Sequence, residues 1–239
     1  MSNKNVLITG AAGSIGTQMR LYLKNRYALR LLDRRPIPDP EGEALVCDLG
    51  DLAGLEAACA GMDAVVHLAG DPSGGAGWES LLEDNIKGTY NLFEAARRQG
   101  VKRIVFASTN HVTGYYEYEG IYTTPEMQER PDSLYGVSKA FGEDLGRFYV
   151  DEHQMAVICL RIGSFQPEEA VKKRGGDRIL STWLSPRDCA QLVWRGIEAE
   201  QVRYGIFYGI SGNKRAYWDT QNARQLLGYA PEDDAERFV

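Results

Sequence analysis

Metal-binding and disulfide chemistry find little to work with in this chain. Its four cysteines, Cys47, Cys59, Cys159 and Cys189, are scattered through apolar runs, and its three histidines, His67, His111 and His153, lie far apart. Without Cys-x-x-Cys or His-x-x-x-His spacing, the thiols read as buried and reduced and no metal site is expected. No apolar run approaches the roughly eighteen residues of a membrane span, and no apolar leader with a cleavage site precedes the first strand-like run. A cytoplasmic protein with no membrane partner is therefore expected. The net charge of −6 argues against nucleic acid as a main partner, because phosphate binding needs clustered Lys and Arg. Only Arg34-Arg35 and Lys172-Lys173-Arg174 cluster. The first pair either touches a ligand or is solvated, and the second reads as an exposed loop.

What is present is one substantial core and a phosphate cradle. Hydrophobic residues make up 44% of 239, enough for a single domain with a small appendage. The chain opens with a short apolar strand running into Gly10, Gly13 and Gly16, with Ser14 and Ile15 at the start of a helix-like segment. Glycines at this spacing permit a tight turn, close approach of a pyrophosphate to the backbone, and close helix-strand packing. A bare strand-to-helix turn would need the same residues. Asp33, ending the apolar run Ala28-Leu29-Arg30-Leu31-Leu32, stands where an acid meets adenosine ribose hydroxyls and favours NAD over NADP. Arg34 beside it is the residue that can accommodate a 2′-phosphate.

Strand-like runs at Val6–Thr9, Arg30–Leu32, Ala44–Val46, Ala64–Leu68, Arg103–Ala107 and Val157–Arg161 alternate with amphipathic segments, notably Leu81–Gln99 and Tyr135–Glu152. That alternation predicts right-handed crossovers and an α/β, Rossmann-like, doubly wound parallel sheet. After Gly163 the rhythm loosens. Ser185-Pro186-Arg187-Asp188 reads as a helix start with Ser185 as cap and Asp188 near the dipole, a structural role. A helix to about Glu200, a strand over Gly205–Ile210 and a last helix near Asp219–Leu227 follow. The expected organisation is a dinucleotide-binding domain over 1–162 and a small substrate-binding region over 163–239, continuous with it.

Tyr135 and Lys139, in Tyr-x-x-x-Lys spacing at a predicted helix start, share one helix face. A phenol is a poor base at neutral pH, and an adjacent ammonium favours its ionised form. The pair follows Phe106-Ala107-Ser108-Thr109, whose hydroxyls belong at the carboxyl edge of the sheet. The bland reading is a surface tyrosine beside a lysine.

With these motifs in place, nearly the whole chain resembles the extended short-chain dehydrogenase/reductase superfamily, the NAD-dependent epimerase/dehydratase family. The resemblance implies Tyr135 as catalytic acid/base, Lys139 as the group that lowers its pKa and binds nicotinamide ribose, and Thr109 rather than Ser108 as the hydroxyl that polarises the substrate oxygen. It implies NAD contacts from Ser108, Ile162, Asp48 and Leu49 near adenine, and the small-residue loop Leu68-Ala69-Gly70. Asn85 matches an asparagine that packs behind the site.

The segments Phe106–His111, Arg130–Lys139, Arg161–Ser164 and Arg178–Trp183 are similar to bacterial uronate dehydrogenases, which oxidise the anomeric carbon of glucuronate or galacturonate to an aldarolactone. That resemblance implies sugar-acid contacts from Ser73, Asn110, His111, Ser164 and Arg178. A planar guanidinium can hold a carboxylate with two parallel hydrogen bonds. Each has an ordinary alternative: a strand-end histidine, a turn asparagine, a local cap, and an ion-pair partner for Asp177 or another acid. The tyrosines Tyr115, Tyr116, Tyr118 and Tyr122 read as packing and loop structure. The charged loop Phe165–Asp177 departs from the family's pattern, as does a chain stopping at Phe238-Val239 where relatives carry a tail that helps close the site. Oligomeric state, including a homo-oligomer, is left open. Two rival readings are a nucleotide-sugar epimerase or dehydratase, disfavoured by the short segment after Gly163, and a silent NAD(P)-binding regulator, disfavoured by the joint presence of Thr109, Tyr135 and Lys139.

Overall fold

The computed structural model describes residues 4–40, 42–174 and 176–238. The apolar runs form β1 Asn5–Thr9, β2 Ala28–Asp33, β3 Glu43–Val46, β4 Ala64–His67, β5 Arg103–Thr109 and β6 Ala156–Ile162. A two-residue ladder, β7 Ser164–Phe165 with β8 Trp183–Leu184, follows, and then β9 Tyr204–Gly209. The main sheet is seven-stranded and parallel, in the order β3-β2-β1-β4-β5-β6-β9. Strand order reverses between β1 and β4, and the crevice outside the strand ends at such a reversal is where α/β sheets bind ligands.

Alternate residues of one strand feed two cores. Val6 and Ile8 pack with Met19 and Leu23 of the helix α1, Ser14–Leu23, and with Val193 and Ile197 of the helix Pro186–Glu198. Leu7 faces the other way, toward Leu55 of α2, Leu52–Cys59, and Leu92 and Phe93 of the helix Gly88–Arg98. A sheet covered on both faces explains strands that are apolar at nearly every position. Each expected strand-like run of the first two-thirds forms a strand, with ends shifted by one or two residues, β4 stopping at His67 rather than Leu68.

Beyond residue 162 the pattern is more interleaved. β9 completes the main sheet, and Pro186–Glu198 covers it, with Ser185 capping the amide of Asp188. Asp188 is fully buried and accepts the backbone N–H groups of Glu232 and Asp233, a structural role. Three segments differ from expectation. Lys172-Lys173-Arg174 belongs to the helix Glu168–Arg174 rather than a loop, because Val171 buries itself against Leu180, Trp183 and Ala235. The amphipathic segment from Leu81 begins as a π-helical stretch, Leu81–Lys87, before the α-helix Gly88–Arg98. The last helix is reduced to Ala223–Leu227, since Trp218 and Asp219 are tied to Thr123 and Gly228, at φ +70°, ends the turn. Among the described residues no helix is long and apolar enough to cross a membrane.

Candidate active site

A cleft of about 580 Å³ opens at the carboxyl ends of the strands. Gly10, Gly13, Ser14, Ile15 and Gly16 form its floor, and Asp33, Arg34, Asp48, Leu49, Leu68, Ala69 and Gly70 its cofactor end. Gly10 has φ +68°, and a Cβ on Gly16 would stand 2.1 Å from the Gly10 carbonyl, so the helix and the turn are packed backbone against backbone. Gly13 is the N-cap of α1 and no side chain caps it, which leaves the helix N-terminus facing the cleft as an anion site. Asp33 is buried, accepting from Ala12 N at 3.0 Å and Arg35 N at 3.1 Å. A fixed carboxylate and an uncapped helix end fit a dinucleotide's ribose and pyrophosphate. Arg34 is drawn aside by Asp84 at 3.2 Å.

Two residues named from the resemblance stand outside the cleft lining, Asn85 behind the site as its match implies. Asn85 is buried behind the wall, outside the cleft lining, where its amide accepts from Asp71 N and donates to Asp71 O and Ser138 Oγ. It supports the loop after β4 rather than touching the cleft. Ser73 is exposed on that loop, outside the lining, because the Asp71 carboxylate accepts its N–H and turns the chain outward; its own hydroxyl accepts from Gly75 N. Cys47 also departs from the buried-thiol expectation and lines the cleft half-buried.

At the centre, Ser133 caps the helix Leu134–His153 by accepting from Gly136 N at 3.1 Å. A Cβ at Gly136 would come 2.4 Å from the His111 carbonyl, so the helix start is pressed onto the loop after β5. This places Tyr135 and Lys139 one turn apart, both in the cleft wall. The Lys139 ammonium lies 5.0 Å from the Phe106 ring centroid and 5.9 Å from that of Tyr135. Burial pushes Lys139 down to about 8. Burial likewise raises the Tyr135 phenol above its ordinary value, a hydrogen bond with Thr109 opposes that rise, and the Asp71 carboxylate adds to it. At this separation burial, rather than mutual attraction, sets the direction of both shifts.

The two hydroxyls after Ala107 differ in their partners because of a buried ion pair. Ser108 donates to Glu143 Oε1 at 2.5 Å, and Arg161 binds the same carboxylate through Nε at 3.0 Å and Nη2 at 2.7 Å. Both residues line the cleft, but Ser108 is committed to that network, whereas Thr109 accepts from His111 N at 3.3 Å and bonds with Tyr135.

At the opposite end, His111 is held edge-on to Tyr135 at 5.8 Å, with Nδ1 2.9 Å from Asp132. Ile162 lines the wall, and with the Asn110 amide turned to the orientation that satisfies both its ends it donates to Ile162 O at 3.1 Å and accepts from Arg178 Nη2 at 3.3 Å. Arg178 also donates through Nη1 to Ser164 Oγ at 3.0 Å. Its Nε and Nη2 are bound by Glu117 at 2.5 and 3.0 Å, and Tyr217 donates to the same carboxylate at 2.9 Å. The guanidinium expected to wait for a substrate carboxylate therefore already holds an internal one. Asp177, its neighbour in sequence, faces Arg215 instead. Glu117, Asp132 and Asp71 are carboxylates that motif reading did not single out, and they hold Arg178, hold His111 and line the cleft respectively. Glu117 lies inside a tyrosine-rich stretch with no periodic or spacing signal.

The chain from residue 6 to 200 matches the model of the NAD dependent epimerase/dehydratase family. It is 41% identical to an NAD-dependent glucose-6-phosphate dehydrogenase of Haloferax volcanii, over 98% of this chain and 95% of that one. It is also 41% identical to a uronate dehydrogenase of Pseudomonas putida, over 98% and 85% respectively. The crystal structure of uronate dehydrogenase from Agrobacterium tumefaciens superposes with a TM-score of 0.91 at 41% identity, covering 100% of this chain and 88% of that one. A mutant of that enzyme has been solved in complex with NAD.

Proposed function

The chain belongs to the NAD-dependent epimerase/dehydratase family, and on that premise we propose that it oxidises the anomeric carbon of a hexuronic acid, glucuronate or galacturonate, to an aldarolactone. The observation that carries this reading is the convergence of Thr109, Tyr135 and Arg178 on a single cleft whose other end fits a dinucleotide. NAD, when bound, supplies the acceptor for the hydride that leaves the anomeric carbon. Tyr135 takes the proton of the anomeric hydroxyl at its phenolic oxygen. Thr109 holds that oxygen in line, His111 and Asn110 bind further hydroxyls, and Arg178 meets the carboxylate. Lys139 binds the nicotinamide ribose and keeps a proton beside the tyrosine. Alignment is what these residues contribute, and alignment alone accounts for a large part of such a barrier. A soluble sugar acid and a soluble cofactor also fit a cytoplasmic setting, which cell fractionation tests.

The test is a substrate panel with NAD, read by the absorbance of the reduced nicotinamide. Galacturonate, glucuronate, glucose 6-phosphate, glucose and galactose under identical conditions separate the candidates. Turnover of a uronate above the neutral hexoses supports the reading. Turnover of glucose 6-phosphate above both uronates overturns the assignment of substrate, and no turnover of any sugar overturns the activity.

A further inference from the structure

We propose that Glu117 is a specificity-determining residue: it neutralises Arg178 from within the protein and so limits the preference of the cleft for an anionic sugar over its neutral counterpart. The inference rests on the reading that the cleft binds a hexuronic acid. Its basis is geometric. Two of the five N–H donors of Arg178 are bound by the Glu117 carboxylate, Nε at 2.5 Å and Nη2 at 3.0 Å, in the planar fork that a substrate carboxylate would otherwise occupy. Tyr217 donates to Glu117 Oε1 at 2.9 Å and fixes the carboxylate in place, and Glu117 is mostly shielded from solvent. Arg178 still lines the cleft through its other edge, where Nη1 meets Ser164.

A sugar carboxylate entering there has two options. It can displace Ser164 and meet a guanidinium whose charge is already compensated, or it can displace Glu117 and leave a second carboxylate nearby without a partner. Both weaken the selection of an acid over a neutral sugar relative to an unpaired arginine. A neutral hexose that displaces Ser164 carries no charge, so its binding does not depend on whether the guanidinium is already compensated.

Glu117→Gln keeps the size of the side chain and one acceptor for Arg178 but removes the charge. Glu117→Ala removes both. The experiment measures kcat/KM for galacturonate and galactose with NAD in the wild type and both variants, and in parallel the calorimetric affinity of the NADH-loaded proteins for the two sugars. Unpairing a partly shielded charge is expected to raise the galacturonate-to-galactose ratio about five- to thirty-fold in Glu117→Gln, mainly through KM. The affinity for galacturonate should tighten in step while that for galactose stays put. In Glu117→Ala the ratio should move in the same direction by less, since Arg178 also loses a bond that orients it. A ratio unchanged within two-fold, or one that falls in Glu117→Gln, overturns the proposal, the latter by showing that Glu117 serves to aim Arg178. Should the wild type turn over no sugar, the proposed activity fails, yet the calorimetric comparison still decides the role of Glu117. NADH binding at wild-type strength in each variant excludes misfolding as the cause.

Discussion

The cofactor end of the cleft is made of backbone and the sugar end of side chains. Gly10, Gly13 and Gly16 bring a strand, a turn and a helix N-terminus together with nothing between them, and Asp33 is buried with backbone amides on both oxygens. Arg178 instead reaches from the six-residue helix Asp177–Thr182, half-exposed, and is held by Glu117, Ser164 and Asn110, each from a different part of the chain. At Gly10 and Gly16 no side chain can enter without moving backbone. A side-chain network can be re-tuned one residue at a time. The difference teaches where variation in specificity can reside in a fold whose cofactor chemistry stays the same.

The comparison is sharpened first at the point where the two ends meet. Tyr135→Phe deletes the proton acceptor without altering either end, so kcat should fall about a thousand-fold, within the range for a lost general base, while NADH affinity measured by fluorescence stays within a few-fold. Because burial holds the phenol above its ordinary value, wild-type activity should climb with pH through the neutral range, and a variant retaining most of its turnover would remove Tyr135 from the chemistry.

At the cofactor end, Asp33→Asn should lower kcat/KM for NAD by about ten-fold or more, the size of a charge-assisted hydrogen bond, and narrow the preference over NADP. Steady-state kinetics with both cofactors checks it. An unchanged preference would mean that Arg34, not Asp33, sets cofactor choice.

At the sugar end, Arg178→Ala should cost about ten-fold in kcat/KM for galacturonate and clearly less for galactose, because part of the arginine's charge is already spent on Glu117. Arg178→Lys should recover little, having lost the planar fork. Equal losses on both sugars would make Arg178 a structural residue and break the contrast between the two ends.

The smallest effect concerns stability. His67, at the end of β4 beneath the cleft, is fully buried, accepts or donates at Nδ1 with Thr9 Oγ1 at 2.8 Å, and is pushed down to about 3 by burial and then by the Lys139 ammonium. Folded, it stays neutral; unfolded, it takes a proton below about 6.5. The unfolded chain thus binds more protons as the pH falls from 6.5 toward 3, and stability declines across that window. Urea midpoints at pH 7 and pH 5 should separate more in the wild type than in His67→Gln. Equal separations would show that His67 is not linked to the acid limb.

The motifs that were legible share one property: their meaning depends on near neighbours in sequence. Glycine spacing, the Tyr-x-x-x-Lys pair and the Ser185-Pro186 start each act within one or two turns, and each stands where the spacing puts it. Ser73 stands outside the cleft lining because an Asx-type turn at Asp71 redirects the loop, and no periodic signal records such a turn. Val171 drew Lys172 and Lys173 into a helix through contacts with Trp183 and Ala235, which come from later in the chain.

By itself, then, the sequence determined the strand pattern, the cradle, and the pairing of a phenol with a lysine, because hydrophobic period, glycine freedom and helical spacing are local facts. Tertiary structure alone decided that Ser108 is bound to Glu143 while Thr109 meets His111 N and Tyr135, and that burial sets the direction in which Tyr135 and Lys139 shift. It alone decided that Arg178 meets Glu117. Charge pairing and desolvation depend on which groups share a volume, and that is settled only when distant segments pack.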